Sequence, residues 1–412
     1  MARRTLEFGC AIVIVGLLAG VAGAATTLLL HAIEHLTYHY TFGTLLTGVG
    51  DSSPVRRAIG PMVGGALAGC GWWILRRRTE VPGLSETIKS HRAIPRLPMS
   101  IDAGLQVLLV GSGASLGREG APRQLAAALS DFGTTRLALT ARDREILLAC
   151  AAGAGLGAVY SVPLGGAMFA ARILLGTWHP RAVGAALITS SLAVAVASPV
   201  THLEHALTWP AAQLSYLFAF LALVIAPLAA AVGLAFNRVM AMARPKPQFK
   251  SWVLIPTIAA AGLLTGICSI WWPELPGNGR SILTVSVNSS LTLGAAAVIL
   301  LLKPLLTALF LRAGAVGGML TPALATGAAA GSLATLALNH WAGTDIHVSA
   351  MSLTCAAGVL AITQRAPAFA ALFMWELAQP PYWLLLVFAI AAYAAHGLRL
   401  LREQRRAKHP FG

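Results

Sequence analysis

Glu119 stands in the stretch SGASLGREGAP (residues 112–122), between Gly117-Arg118 and Gly120, in a glycine-rich break that separates two apolar runs. A carboxylate in such surroundings is costly and marks a functional position by default. The first N–H groups of a helix have no intrahelical partner and lie at the positive end of the helix dipole, which favours anions. GREGAP followed by RQLAAAL reads as a loop that opens a helix, with Pro122 near its start, where a missing N–H costs least. A second break of the same form, AGAVGGMLTP, carries Gly318, Met319 and Leu320 ahead of Pro322. A third turn, EVPGLSETIKS (80–90), sets Pro82 and Gly83 before another helical start. Helix N-termini converging inside a membrane would bind an anion without full positive charges, so that the ion could also leave. Ionised, Glu119 is itself an anion that can occupy such a site; protonated, it can swing away and admit another. Two plainer readings stay open: the glycines permit close helix packing, and Glu119 pairs with Arg118 or Arg123 at an interface.

The rest of the chain must provide the membrane. Of 412 residues, 57% are hydrophobic and 11% charged, against about 25% charged in a soluble protein, and mean hydropathy is +0.72. This composition predicts an all-α polytopic membrane protein. The net charge of +15 gathers in MARR, in RRR at 76–78, in ARPKPQFK at 243–250 and in RLLREQRRAK at 399–408. These stretches flank apolar runs, as the positive-inside rule requires, which excludes nucleic acid as the partner and puts both termini in the cytoplasm. The apolar run from Phe8 to Leu30 is long enough to span a bilayer and is read as a retained first helix, not a cleaved leader. The five cysteines lie inside apolar runs without a CxxC pair, as small buried hydrophobes do.

Many apolar segments are short and broken by Gly or Pro, a pattern tolerated at membrane depth only where the backbone is buried in protein or lines a cavity. The chain also repeats itself. C-A-A-G occurs at Cys150–Gly153 and Cys355–Gly358; Pro163 and Pro367 follow, each with a phenylalanine six residues on, Phe169 and Phe373. The breaks ending in Pro122 and Pro322 precede these blocks. Two halves are therefore expected, 8–200 and 212–400, with a basic cytoplasmic tail at 401–412 and the substrate site at the interface of the halves.

GREG, GGMLTP and the GNG of LPGNGRS (277–279) together resemble the CLC family of chloride channels and proton/chloride exchangers, and the resemblance runs from about residue 10 to 400. It implies two inverted-topology halves of broken, tilted helices, and a homodimer with a pore in each subunit. It implies transport of a small anion, chloride first, by a protein that is not an enzyme and needs no cofactor or metal. The length matches the short bacterial form, without regulatory domains, in the inner (plasma) membrane. Glu119 becomes the gating glutamate, and the anion is held around Pro82, Gly83, Gly117, Arg118, Gly120, Gly318, Met319, Leu320 and Tyr382.

The chain also departs from the family pattern. Ala121 intervenes before Pro122, and Leu320 takes an aromatic position. Pro82 stands where the family has a serine, and proline there is associated with nitrate preference, so the resemblance leaves chloride and nitrate both open. Arg172 and Ile173 stand where exchangers carry an inner proton-relay glutamate; arginine does not give up its proton. The reading favoured is a channel gated by Glu119, the alternative an antiporter with another inner proton route. Tyr382 follows Glu376 one residue later than the family's spacing and is either an anion ligand or an interfacial tyrosine beside Trp383. Of the acidic residues, Glu119 and Glu376 are the two read as lying in or beside apolar runs. Arg172 and Glu376 fall nine residues after the two repeat prolines, and either pair across the repeat or snorkel apart. His31, Glu34 and His35 fit H-x-x-E-H, but no second carboxylate ligand is evident and the segment ends a membrane helix, so no metal is expected there.

Overall fold

The computed structural model describes residues 2–90, 93–201, 209, 215–245 and 249–408. Residues 212–214, where the second half was expected to begin, 246–248 of the basic loop and 409–412 of the tail lie outside the described residues. The described chain is helical. Its first part holds α1 (Ala2–Tyr38), α2 (Leu45–Asp51), α3 (Pro54–Arg78), α4 (Leu84–Lys89), α5 (Arg96–Gly111), α6 (Gly120–Gly133), α7 (Ala141–Tyr160), α8 (Pro163–Met168), a π-helical turn at Phe169–Leu174, and α9 (Pro180–Thr201). The second holds α10 (Leu217–Ala243), α11 (Leu254–Cys268), α12 (Arg280–Val287), α13 (Leu293–Arg312), α14 (Leu320–Ala342), α15 (Val348–Gln364), α16 (Pro367–Ala378) and α17 (Leu384–Lys408).

The boundaries follow local chemistry. Thr140 and Asp143 close a capping box at the start of α7, and Ser53 caps α3 with Pro54 in its first turn. Seven described helices, α1, α3, α9, α10, α13, α14 and α17, are long and apolar enough to cross a membrane. The most apolar windows of six of them are 33–44% buried, so more than half of each is left for lipid or further contacts, whereas that of α14 is 78% buried. Inside sit α7, buried from Ile146 to Tyr160, and α15, buried from Val348 to Ile362. Both are rich in small residues, Ala, Gly and Cys in α7 and these with Ser and Thr in α15, which lets neighbouring backbones approach where lipid offers no hydrophobic drive to pack. At Gly155 of α7 an added Cβ would lie 2.5 Å from the Pro122 carbonyl oxygen of α6.

The sequence repeat has a backbone counterpart. α7 ends at Ser161 and α15 at Arg365, both in the left-handed region (φ 55° and 56°), and each is followed by a proline-initiated helix, α8 or α16. The two glycine breaks meet: Gly117 and Gly318 exchange both backbone hydrogen bonds, 2.8 Å each, in an antiparallel bridge. This bridge joins the entrances of α6 and α14 and so brings distant parts of the chain to one point.

Candidate functional site

At that point Glu119, fully buried, precedes the first residue of α6. Its carboxylate turns not to its own helix but to the start of α14. Oε1 accepts from the Leu320 N–H at 2.5 Å and the Thr321 N–H at 3.3 Å, while Oε2 accepts from the hydroxyls of Thr321 (3.2 Å) and Tyr160 (3.3 Å). The charge thus sits where the α14 dipole and unsatisfied amides favour an anion. The glycines create the room: a Cβ at Gly117 would lie 2.2 Å from Oε2, and one at Gly318 2.2 Å from the carboxyl carbon. Gly120 is equally confined, a Cβ there lying 2.2 Å from Gln106 Oε1. Met319 is the residue before α14, and its sulfur lies 3.2 Å from Arg244 Nη2.

Arg118 reaches the end of α7. Its Nη2 donates to the Val159 carbonyl at 3.0 Å and its guanidinium stacks 5.0 Å from the Tyr160 ring centre, which fixes the tyrosine that reaches Glu119. Arg123 lies 4.5 Å over Phe169. The break is anchored from behind: Thr307 of α13 donates to the Ser115 carbonyl at 2.8 Å, and buried Lys303 donates to the carbonyls of Leu275 (3.1 Å) and Gly277 (2.8 Å) of the PGNG turn.

Cavities flank the seat on two sides. One, about 520 Å³, is lined by the end of α1, residues 40–46, Arg118 and the start of α12. The other, about 250 Å³, is lined by Arg244, Leu311, Gly314 and Gly317 among others. They open at opposite ends of α3. Near its start, Arg56 donates to the Thr37 carbonyl of α1 (2.9 Å); near its end, Arg76 donates to the Gly314 carbonyl (2.9 Å). A helix of 25 residues is about 37 Å long, enough to separate two faces of a membrane. The Pro82-Gly83 turn follows α3 directly and so lies toward the Arg244 face; Gly83 is exposed, with open space around its Cβ position.

Several expected placements differ. Tyr382 is 85% exposed in the α16–α17 connection, where Pro380-Pro381 carry the chain off the end of α16, and is not brought to Glu119. The hydroxyl that reaches the carboxylate is that of Tyr160, the last residue of α7, a residue the sequence had not singled out. Arg172 and Glu376 do not pair: Arg172 stacks on Trp178 (4.6 Å), and Glu376 accepts from the N–H groups of Leu164 (2.9 Å) and Gly165 (2.5 Å) across the repeat. Ile173 sits beside Arg172 in the π-turn, partly buried. Nor are Glu119 and Glu376 alone among carboxylates in apolar surroundings. Asp102 of α5 is 3% exposed, accepting from Trp72 (2.7 Å) and Gln106 (2.8 Å), and Glu34 of α1 is 7% exposed. Among the described residues no cluster of three or more His, Cys, Asp or Glu side chains could hold a metal ion, and the His35 ring packs on Tyr40 (4.3 Å).

Comparison with known proteins agrees with this architecture. The family model described as "Voltage gated chloride channel" matches residues 64–399. The "Voltage-gated ClC-type chloride channel ClcB" of Escherichia coli O17:K52:H18 is 28% identical over 411 residues, covering 96% of this chain and 98% of its own; that of E. coli O157:H7 is 29% identical over 373 residues, 88% and 89%. Two solved structures share the fold. A slow cyanobacterial Cl−/H+ antiporter superposes with a TM-score of 0.76 at 20% identity, over 98% of this chain and 99% of that one. A eukaryotic CLC transporter gives 0.73 at 17%, over 97% and 73%.

Proposed function

Since this chain belongs to the CLC family of anion channels and transporters, we propose that it conducts a small anion, chloride first, passively between its two cavities, with Glu119 as the removable plug. One observation carries this reading: the Glu119 carboxylate occupies the amides of Leu320 and Thr321, donors that an anion of the same charge would use. Ionised, the carboxylate competes with the permeating ion; protonated, it loses its attraction to the helix start and yields the seat. A channel rather than a proton-coupled exchanger is supported by the π-turn, where Arg172 and Ile173 offer no carboxylate. We further propose that the protein works as a homodimer in a bacterial inner membrane, as a repeat of halves 8–200 and 212–400 with both termini cytoplasmic.

The test is flux in proteoliposomes, comparing chloride, nitrate and fluoride with proton movement recorded together. Glu119→Gln should raise anion flux at neutral pH and remove most of its pH dependence. A chloride gradient should drive no uphill proton movement; sustained uphill proton movement would replace the channel reading with exchange.

A further inference from the structure

The larger cavity holds a second carboxylate that the plug does not use. Glu34, near the end of α1, is 7% exposed and lines the 520 Å³ vestibule together with Arg118 and Arg280. Its Oε2 accepts from the Tyr40 hydroxyl at 3.4 Å. The groups that act on it come from several elements: His31 on α1, Tyr38 at the end of α1, Tyr40 in the connection that follows, Arg118 in the break before α6, and Arg280 at the start of α12, while His35 of α1 lines the same cavity and acts on His31. Arg57 of α3 acts on the same corner through Tyr38. Glu34 and the histidines are the groups whose charge can change.

Arg118 is one residue from Glu119, so the vestibule is the approach to the plug from the face where α1 ends. Field lines focus in a charged cleft with low-dielectric walls, and the sign of the cleft sets how often an ion arrives. With Glu34 ionised, one of the two arginine charges is offset. With Glu34 neutral, both face an incoming anion, and any charge on His31 or His35 adds in the same sense.

Resting on the reading of Glu119 as the plug, we propose that Glu34 is a second, outer control point: ionised, it holds back small monovalent anions from the vestibule, and protonated, it leaves Arg118 and Arg280 to collect them beside Glu119. This is a control on arrival, separate from the seat itself, and it operates from one face of the membrane.

The experiment is initial chloride flux in proteoliposomes at low and high ionic strength, with pH varied on one face at a time. Glu34→Gln keeps the acceptor for Tyr40 and removes the charge. It should raise neutral-pH flux about 3- to 10-fold at low salt, with the gain fading at high salt, and flatten the response to pH on the vestibule face. Arg280→Gln should lower flux, and the Glu34→Gln/Arg280→Gln pair should return toward the parent. Glu34→Gln flux with unchanged magnitude, salt dependence and pH profile would overturn the proposal. If Glu34→Gln does not elute as monodisperse protein, Arg280→Gln decides, since unchanged low-salt flux in that variant also overturns it. The plug reading fails separately: a Glu119→Gln protein with the parent pH profile would remove it while leaving the Glu34 result to stand.

Discussion

Glu119 gathers four donor contacts from two segments, the first turn of α14 and the end of α7. A hydrogen bond to a charged group contributes about 1.5–3 kcal/mol, so the seat is held by a sum that one substitution can lower without abolishing it. The Tyr160 hydroxyl, at 3.3 Å, is the contact that can be removed without touching backbone. Tyr160→Phe should weaken the seated carboxylate by about 1–2 kcal/mol, which is roughly a 5- to 30-fold rise in chloride flux at neutral pH if release of the plug limits flux. Flux no higher than the parent's would show that the tyrosine serves the passing ion instead of the plug. Space makes a second prediction. A Cβ at residue 318 would lie 2.2 Å from the Glu119 carboxyl carbon, closer than atoms can sit. Gly318→Ala should therefore expel the side chain and collapse the pH dependence of flux toward that of Glu119→Gln. A similar collision, with Oε2 at 2.2 Å, makes glycine necessary at Gly117, which the resemblance had placed beside the anion.

Above the residue, the site depends on α6 and α14 arriving at the correct distance, and α7 and α15 set that distance. An added Cβ at Gly155 would lie 2.5 Å from the Pro122 carbonyl, so Gly155→Ala must push α6, and the entrance that carries Glu119, away from α7. Overpacking of this kind costs about 1–3 kcal/mol. Gly104 of α5 has open space at its Cβ position, and Gly→Ala in a helix there should be neutral or stabilising by up to about 1 kcal/mol. Thermal loss of monodisperse protein in detergent should separate the two, with Gly155→Ala melting below the parent and Gly104→Ala at or above it. This level also shows what the sequence conveyed. The breaks before Pro122 and Pro322, and the prolines after C-A-A-G, were legible because Gly and Pro leave local signatures. The meeting of Gly117 with Gly318, the reach of Tyr160, and the anchoring by Lys303 and Thr307 were not, because each is a contact between segments far apart in sequence. Tyr382 stayed between two readings, anion ligand and interfacial tyrosine, for the same reason: spacing from Glu376 fixed its position along the chain but not the turn at Pro380-Pro381 that carries it to the surface.

At the scale of the whole molecule, one seat lies between two cavities at opposite ends of α3, and the charges around them are not alike. Arg76, Arg77 and Arg78 end α3 on the face of the smaller cavity, and Arg4 begins α1 there too, because the far end of α1 meets the start of α3 through Arg56 and the Thr37 carbonyl. On the positive-inside rule we propose that this face is cytoplasmic and that the vestibule with Glu34 opens to the other side. Two exposed positions report this directly. Phe42, 91% exposed, belongs to the connection that lines the vestibule; Glu80, on the opposite face, has its side chain 83% exposed and paired with Lys250 at 2.7 Å. That pair is solvated, so replacing Glu80 should cost little stability. In intact cells a membrane-impermeant maleimide should label Phe42→Cys and leave Glu80→Cys untouched until the membrane is permeabilised. The reverse pattern would invert the orientation, and with it the face from which acid acts on Glu34: protonation from the periplasmic side would then leave the vestibule unchanged, and a fall in cytoplasmic pH would recruit anions to it.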